Sequence, residues 1–130
     1  MTMIVIEKEV FGAATVWLKD ALRLAEAGEK SDVERALKEA RRNYRMSLRE
    51  RLLGGAFKRV SKEIRRYAYQ QEFRKLVNFA RRHLREGEFT EALNWARRVA
   101  EAATDYHLDL SYEEEAKNLI CEIQQRAVAG

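Results

Sequence analysis

Apolar residues recur every three or four positions along almost the whole chain, which is the spacing of one face of an α-helix. Breaks in this spacing fall at glycines or at sequences typical of helix starts. The pattern predicts helices at about residues 7–27, 32–53, 56–69, 73–86, 90–106 and 112–127. A short strand at residues 3–6 is the alternative for the start of the chain, because isoleucine and valine favour strands. We therefore expect an all-α protein with five or six antiparallel helices.

Glycines and capping sequences predict where helices end and begin. Gly28 and Gly87 can adopt the left-handed backbone conformation that ends a helix without the steric penalty of a Cβ atom. Ser31–Glu34 and Ser111–Glu114 each have the form of a capping box, in which a serine and a glutamate satisfy free backbone amides of a new helix. These two sequences predict the starts of the second helix and of the last one.

The segment 56–86 contains neither glycine nor proline, yet its apolar face changes sides. At about 100° per residue, the apolar residues that begin with Phe57 share one side of a helix, and those that begin with Phe73 fall on the opposite side. Two structures explain this reversal. Either the chain kinks or turns near Ala68 to Glu72, or one continuous helix joins two helical clusters, which belong to one chain or to two subunits.

The hairpin predicted within Phe73–Ala103 has the most specific spacing in the chain. Gly87 and Phe89 form a glycine-x-aromatic turn, and Ala92 follows three residues later. This spacing resembles a degenerate tetratricopeptide unit, although the closing proline is missing and His83 stands where a tyrosine is usual. The resemblance covers about a quarter of the chain and implies two antiparallel helices that bind another protein. The turn is also similar to that of helical domains that bind trafficking tails and of the HEPN nucleases.

A second, similar hairpin is predicted near the start of the chain. The run Ala36–Arg42 matches the run Ala92–Arg98, which pairs Ala36 with Ala92 and leaves three more residues in the first turn. Duplication explains this match, and so does a composition rich in alanine and arginine. The 130 residues suffice for a single domain with one core. Duplication would divide that domain into two three-helix pseudo-repeats, at about 7–69 and 73–127.

Composition supports a helical globular protein and narrows its location. The chain has 46% hydrophobic and 35% charged residues and no proline, which is typical of a folded and almost entirely helical domain. Cys121 is the only cysteine, so an internal disulfide is excluded and a reducing compartment is favoured. The chain shows no secretory signal and no apolar run long enough to span a membrane. We therefore expect a cytoplasmic protein without membrane contact.

Charge is distributed unevenly along the chain. The net charge is +4, but residues 1–34 sum to −3, residues 35–98 to +12 and residues 99–130 to −5. A basic segment between acidic ends is typical of a nucleic-acid-binding face, or of ends that neutralise the middle within the fold or across a dimer.

Candidate residues for metal binding and catalysis are few. Asp105, His107 and Asp109 alternate after a predicted helix, but two histidines and one cysteine in the chain leave too few ligands for a zinc site. We interpret these three residues as a solvated loop at a helix end. The HEPN enzymes carry an arginine a few residues before a histidine, whereas eight residues separate Arg98 from His107. We therefore expect no metal, no cofactor and no enzymatic activity.

Two rows of basic residues are candidates for nucleic-acid binding. The first contains Arg41, Arg45 and Arg49, and the second contains Lys58, Lys62, Arg65 and Arg66. Lysine and arginine neutralise phosphates, and Tyr67 and Tyr69 beside the second row can stack on bases. No known recognition motif accompanies the rows, and a basic helix face also pairs with acidic helices such as the last one.

The spacing and the charges together favour a binding function. We expect a small non-catalytic module for protein–protein interaction, built on two tetratricopeptide-like hairpins and associating with itself as a homo-oligomer. Its groove, lined by Arg81, Arg85, Asn94 and Arg98, would bind an acidic segment of another protein, because arginine grips a carboxylate through two hydrogen bonds. The alternative is a basic helical protein that binds RNA or DNA through residues 35–98. A third reading is a self-associating protein whose acidic ends complete its basic middle.

Overall fold

The structure is a computed structural model that describes residues 4–45 and 55–129. Within these ranges the chain forms helices and no strand, which confirms the predicted all-α fold. The helices longer than one turn are α1 (Thr15–Glu26), α2 (Lys30–Asn43), α3 (Ala56–Arg85), α4 (Phe89–Asp105) and α5 (Leu110–Ala129). None of these described helices is both long and apolar enough to cross a lipid bilayer.

The first predicted helix is interrupted. A single helical turn, Lys8–Phe11, and a 3-10 segment, Gly12–Ala14, precede α1, so the prediction of one helix over residues 7–27 is wrong. The break lies at Gly12, whose φ of 54° and ψ of −128° are far from helical values and suit glycine. The described residues 4–7 have no regular secondary structure, so they do not form the alternative strand either.

Helix α2 begins directly after the turn that ends α1. The Gly28 amide donates to the Ala25 carbonyl and the Glu29 amide to the Leu24 carbonyl, both at 3.0 Å, which is the Schellman arrangement at a helix end. The Glu29 carbonyl in turn accepts the Val33 amide at 3.0 Å. Glu29 is therefore the N-cap of α2, and no side chain caps this end. The predicted capping box is wrong, because its serine lies inside the helix.

Helix α2 ends at Asn43 instead of continuing to residue 53. Tyr44 has an extended backbone, with φ −96° and ψ 121°, and its ring stacks on Phe57 with centroids 4.7 Å apart and planes inclined by 13°. This aromatic contact within the core replaces a further helical turn. Arg45 also lies outside the helix, and the rest of the predicted helix, residues 46–53, falls outside the described residues.

Helix α3 is continuous over 30 residues, so the alternative of two helices separated by a turn at residues 68–72 is wrong. The chain divides into two compact units, unit 1 and unit 2, between Gln71 and Glu72 within this helix. The first half of α3 contributes buried residues to unit 1 and the second half to unit 2, which explains the reversal of its apolar face. That the two units together form a single domain stays a prediction.

Each unit is a three-helix cluster with a core rich in alanine. The buried apolar residues of unit 1 are Phe11, Ala14, Leu18, Ala21, Ala25, Val33, Ala36, Leu37, Ala40, Phe57, Val60, Ile64 and Ala68. Those of unit 2 are Phe73, Val77, Ala80, Leu84, Ala92, Ala96, Val99, Ala103, Ala116, Leu119 and Ile123. The small residues allow the helices of each unit to approach closely. Trp95 packs half-buried against the core of unit 2, whereas Trp17 is 37% exposed.

The two units repeat the same core positions in a constant register. Gly28 and Gly87 each end the first helix of their unit in the left-handed conformation, and their separation along the chain defines the register. The same separation relates Leu18 to Val77, Val33 to Ala92 and Ile64 to Ile123. The predicted register, which paired Ala36 with Ala92, is therefore wrong. The two turns have equal length, and the matching alanine-arginine runs occupy different positions of their helices.

Helix α5 begins at Leu110, before the serine of the second predicted capping box, so that prediction is also wrong. The Asp109 carbonyl accepts the Tyr112 amide at 2.9 Å at this helix start. Just before it, α4 also ends in a Schellman arrangement. Here His107 is left-handed with φ 52°, and its amide donates to the Thr104 carbonyl at 3.2 Å. The His107 side chain is exposed in this loop.

Candidate binding surface on unit 2

An aromatic pair lies on the hairpin formed by α4 and the second half of α3. Phe79 and Trp95 contact each other with ring centroids 4.9 Å apart and planes inclined by 46°. Both side chains are half-buried, because each neighbours a fully buried alanine, Ala80 or Ala96, at the edge of the apolar stripe of its helix. The pair therefore presents apolar area to solvent while packing holds its rings in place.

Two arginines cover this aromatic pair. Arg82 follows Phe79 by three residues and Arg98 follows Trp95 by three, a spacing that places each cation on the same helix face as its ring. The guanidinium carbon of Arg98 is 4.7 Å from the Trp95 centroid, and that of Arg82 is 5.5 Å from the Phe79 centroid. Both distances permit cation–π attraction, which is worth about 0.5–1 kcal/mol at an exposed site. We call these four residues the aromatic–arginine surface.

The arginines of unit 2 fall into two groups. Arg74 and Arg81, on α3, form ion pairs of 2.5 and 3.3 Å with glutamates of α5, so the acidic end of the chain neutralises part of the basic middle within the fold. Arg82 and Arg98 lie against rings instead, and neither forms an ion pair with a carboxylate in the described part of the chain. Arg98 therefore remains available to a ligand, and so does Arg82, whose charge acts on Glu86 and Glu88 without forming an ion pair.

A second polar group lies at the turn between α3 and α4. His83, Glu86 and Glu88 each place one potential ligand atom within 4.8 Å of the other two, and His83 Nδ1 is 3.4 Å from Glu88 Oε1. The pKa of Glu86 is raised, chiefly by its hydrogen bond with Glu88. The same hydrogen bond lowers the pKa of Glu88, and His83 adds to this effect. The nearby Arg82 charge favours the ionised form of both carboxylates.

Neither the aromatic–arginine surface nor the cluster of His83, Glu86 and Glu88 can be predicted from the periodicity of apolar residues alone. A search for carboxylates at helical spacing from His83 overlooks Glu88, which lies beyond the turn and approaches the imidazole only because Gly87 reverses the chain. The signal for this cluster is the spacing histidine-x-x-glutamate-glycine-glutamate around a predicted turn. For the aromatic–arginine surface, the signal is an aromatic residue three positions before an arginine in both helices of one hairpin.

The first predicted basic row is interrupted. Arg41 is exposed on α2, but the helix ends at Asn43 and leaves Arg45 outside it. A continuous stripe requires a helix through all three arginines, so the predicted stripe is wrong. Arg49, its last member, lies outside the described residues.

The second predicted row lies exposed on the first half of α3, and it consists of Lys58, Lys62, Arg65 and Arg66. Arg65 forms an ion pair of 2.8 Å with Glu34 of α2, and Arg66 also has an interaction partner. Lys58 and Lys62 form no ion pair with any residue that the structure describes. Only the two lysines of this row are thus available to phosphates without breaking an existing contact.

The predicted groove for an acidic peptide is not assembled. Arg81 is paired with α5, and Phe79, two residues earlier, lies on nearly the opposite side of α3. Arg98 belongs to the side of Phe79, so it does not share a groove with Arg81. The other two predicted members, Arg85 and Asn94, are exposed on α3 and α4.

Comparison with known proteins identifies no family for this chain. No protein-family model matches this chain, and neither the curated proteins nor the solved structures contain a match. The tetratricopeptide resemblance therefore stays a prediction based on the turn at Gly87, and function has to be argued from the geometry of the chain itself.

Proposed function

We propose that the protein is a non-catalytic protein-binding module whose aromatic–arginine surface binds an acidic segment of another protein. The observation that carries this proposal is the pair of guanidinium groups, Arg82 and Arg98, that lie against aromatic rings and form no ion pair among the residues described. A ligand with two or more carboxylates supplies the missing partners.

The position of the guanidinium groups against the rings favours carboxylates for a geometric reason. A guanidinium group against a ring keeps its N–H groups directed outward in its own plane, where a carboxylate accepts two parallel hydrogen bonds. Contact with Phe79 and Trp95 also restricts the side-chain rotamers of the arginines before the ligand arrives. Less conformational entropy is therefore lost on binding.

The aromatic pair adds apolar contact to the same surface. Tryptophan and arginine often dominate the binding energy of protein interfaces, in packed clusters that polar residues surround. Trp95 and Phe79 are half-buried, and the neighbouring Asn78 and Asn94 are exposed. We therefore expect a ligand that combines acidic side chains with apolar ones.

Tryptophan fluorescence tests the proposal. Trp17→Phe leaves Trp95 as the only tryptophan of the chain, so a ligand on the surface changes its emission directly. The probe is a synthetic peptide rich in glutamate and leucine, and the control peptide has lysine in place of glutamate. We expect only the acidic peptide to bind. Arg98→Gln should weaken binding by about tenfold or more, because a hydrogen bond to a charged group contributes about 1.5–3 kcal/mol.

Arg23→Gln is the matched control for Arg82→Gln. Arg23 precedes Gly28 by the same number of positions as Arg82 precedes Gly87, so it is the equivalent residue of unit 1, where it pairs with Asp20 at 2.7 Å. The Arg23 variant should bind the acidic peptide like the parent protein, whereas the Arg82 variant should bind it more weakly. Equal affinity for the acidic and the basic peptide, or equal losses in the two variants, would contradict the proposal.

Nucleic-acid binding is the second candidate function, and it depends on a different observation. Lys58 and Lys62 stand one turn apart on α3, exposed and without an ion-pair partner in the described ranges. Binding through such cations releases counterions, so the affinity for a labelled single-stranded RNA must fall steeply as salt increases. Lys58→Gln with Lys62→Gln should weaken RNA binding and reduce this salt dependence. RNA binding that neither salt nor this double substitution changes would exclude the candidate.

Self-association and a cytoplasmic location belong to the same proposal. Val16 of α1 is 71% exposed, and association with a second copy would cover such an apolar side chain. Cys121 is a free and exposed thiol, as is typical of proteins in a reducing compartment such as the cytoplasm. Light scattering over a range of concentrations tests self-association, and a monomer throughout would argue against it.

A further inference from the structure

The turn between α3 and α4 gathers three potential metal ligands on a defined backbone. Gly87 is left-handed with φ 75°, and its amide donates to the Leu84 carbonyl at 3.1 Å. The Glu88 amide donates to the His83 carbonyl at 2.9 Å. This second bond ties the backbones of His83 and Glu88 together, so their side chains converge without reordering of the chain.

The donor atoms lie close to the spacing that a small divalent ion requires. The 3.4 Å between His83 Nδ1 and Glu88 Oε1 is close to the separation of two ligands that bind a tetrahedral ion at about 2.1 Å. A carboxylate oxygen of Glu86 completes a set in which every pair of atoms lies within 4.8 Å. Imidazole and carboxylate are both ligands that zinc accepts.

Unit 1 contains the same turn without this ligand set. Glu29 (φ −89°, ψ 71°) and Glu88 (φ −90°, ψ 72°) have the same backbone conformation, and each follows a left-handed glycine. In unit 1, Leu24 occupies the position that corresponds to His83, and Ala27 occupies the position that corresponds to Glu86. The turn therefore forms without either side chain, and formation of the hairpin does not account for their presence in unit 2.

The carboxylates of Glu86 and Glu88 lie close to each other at this turn. Two neighbouring anions repel each other, and a divalent cation between them removes this repulsion. Arg82 is the nearby positive charge and opposes a metal ion, so we expect moderate affinity.

We propose that His83, Glu86 and Glu88 form a zinc-binding site at the turn of unit 2, with a fourth coordination position open to water or to a ligand carboxylate. Three protein ligands with one exchangeable position are typical of accessible zinc sites. The site does not depend on the proposed peptide-binding function, since none of the four residues of the aromatic–arginine surface is a ligand.

Calorimetric titration of the untagged protein with zinc chloride tests the site. We expect one ion per chain and binding at least about tenfold weaker in His83→Ala and in Glu86→Gln, because each removes a ligand or its charge. Cobalt(II) provides a second readout, since a tetrahedral site gives it visible absorption bands that the same substitutions should abolish. His107→Ala removes an exposed histidine outside the turn and should bind zinc like the parent.

The turn of unit 1 permits the converse experiment. Leu24→His with Ala27→Glu places the same three types of side chain on the same backbone, so we expect the stoichiometry to rise from one ion to two. Circular dichroism establishes that each variant is folded. No zinc binding by the parent, or undiminished binding in the His83 variant, would overturn the proposal. A folded double variant that still binds a single ion would also overturn it, because the turn geometry would then not suffice to assemble the site.

Discussion

Two turns of unit 2 place different residues in the same left-handed conformation, and this difference predicts opposite effects of two substitutions. Gly87 has φ 75° and His107 has φ 52°, and each closes its helix in a Schellman arrangement. A Cβ atom in this conformation costs about 1–2 kcal/mol. We therefore expect Gly87→Ala to destabilise the protein and His107→Gly to stabilise it.

The structure limits the size of both effects. A Cβ atom added to Gly87 meets no atom within 4 Å, so Gly87→Ala has a backbone cost but no steric clash. Alanine also restricts the unfolded chain, which offsets about 0.4–1 kcal/mol and leaves a net loss of about 1 kcal/mol in the free energy of unfolding. For His107→Gly both contributions have the opposite sign. Loss of the Cβ atom removes the backbone cost, and glycine makes the unfolded chain more flexible. The gain is smaller, about 0.5 kcal/mol, because histidine tolerates the left-handed region better than most residues.

Urea unfolding followed by circular dichroism measures both changes. The unfolding midpoint should fall for Gly87→Ala and rise for His107→Gly, with the same dependence on urea concentration as the parent. Ser31→Ala, an exposed change within α2, is the control and should shift the midpoint less than Gly87→Ala does. The reasoning is refuted if His107→Gly destabilises the protein or if Gly87→Ala leaves the midpoint unchanged.

Three further predictions concern the two units. Phe73→Ala should lower the free energy of unfolding by about 3–5 kcal/mol, because the ring is 0% exposed in the core of unit 2 and its loss leaves a cavity; a loss below about 1 kcal/mol would contradict this. Ser61→Ala should raise the free energy of unfolding by up to about 1 kcal/mol, because its buried hydroxyl has no hydrogen-bond partner in the described structure, and urea unfolding measures both. Val16→Lys should shift any oligomer seen by light scattering towards monomer, since a charge is costly at a covered apolar contact, and an unchanged mass would remove Val16 from the interface.

Helix positions were predictable where one apolar stripe continues without interruption. The bounds of α4 and α5 differ from the predicted ones by at most two residues, because glycine or left-handed turns separate these helices from their neighbours. Prediction failed where a distant contact decides the backbone. The apolar period continues through Tyr44, yet the stacking of its ring on Phe57 ends α2 there.

The candidate sites were less predictable than the helices. The sequence indicates Arg98 as a binding residue through its charge and its helix, but it does not indicate Trp95 as the ring that Arg98 contacts. Arg81 has the same charge and lies on the same hairpin, yet it pairs with α5. The sequence shows which residues are positively charged. Whether such a residue pairs within the protein or is available to a ligand depends on which glutamates the other helices bring near.

The sequence by itself determined the all-α class, the glycine turns at Gly28 and Gly87, and the change of apolar face within α3. These features follow from periodicity and from the conformational freedom of glycine, which act over a few neighbouring residues. Only the tertiary structure decided that α3 is continuous, that the units repeat in the register of their two glycine turns, and that Trp95 meets Phe79 while His83 meets Glu88. These features depend on distances across a helix pair or a turn, and the pattern of apolar residues along one helix does not encode such distances.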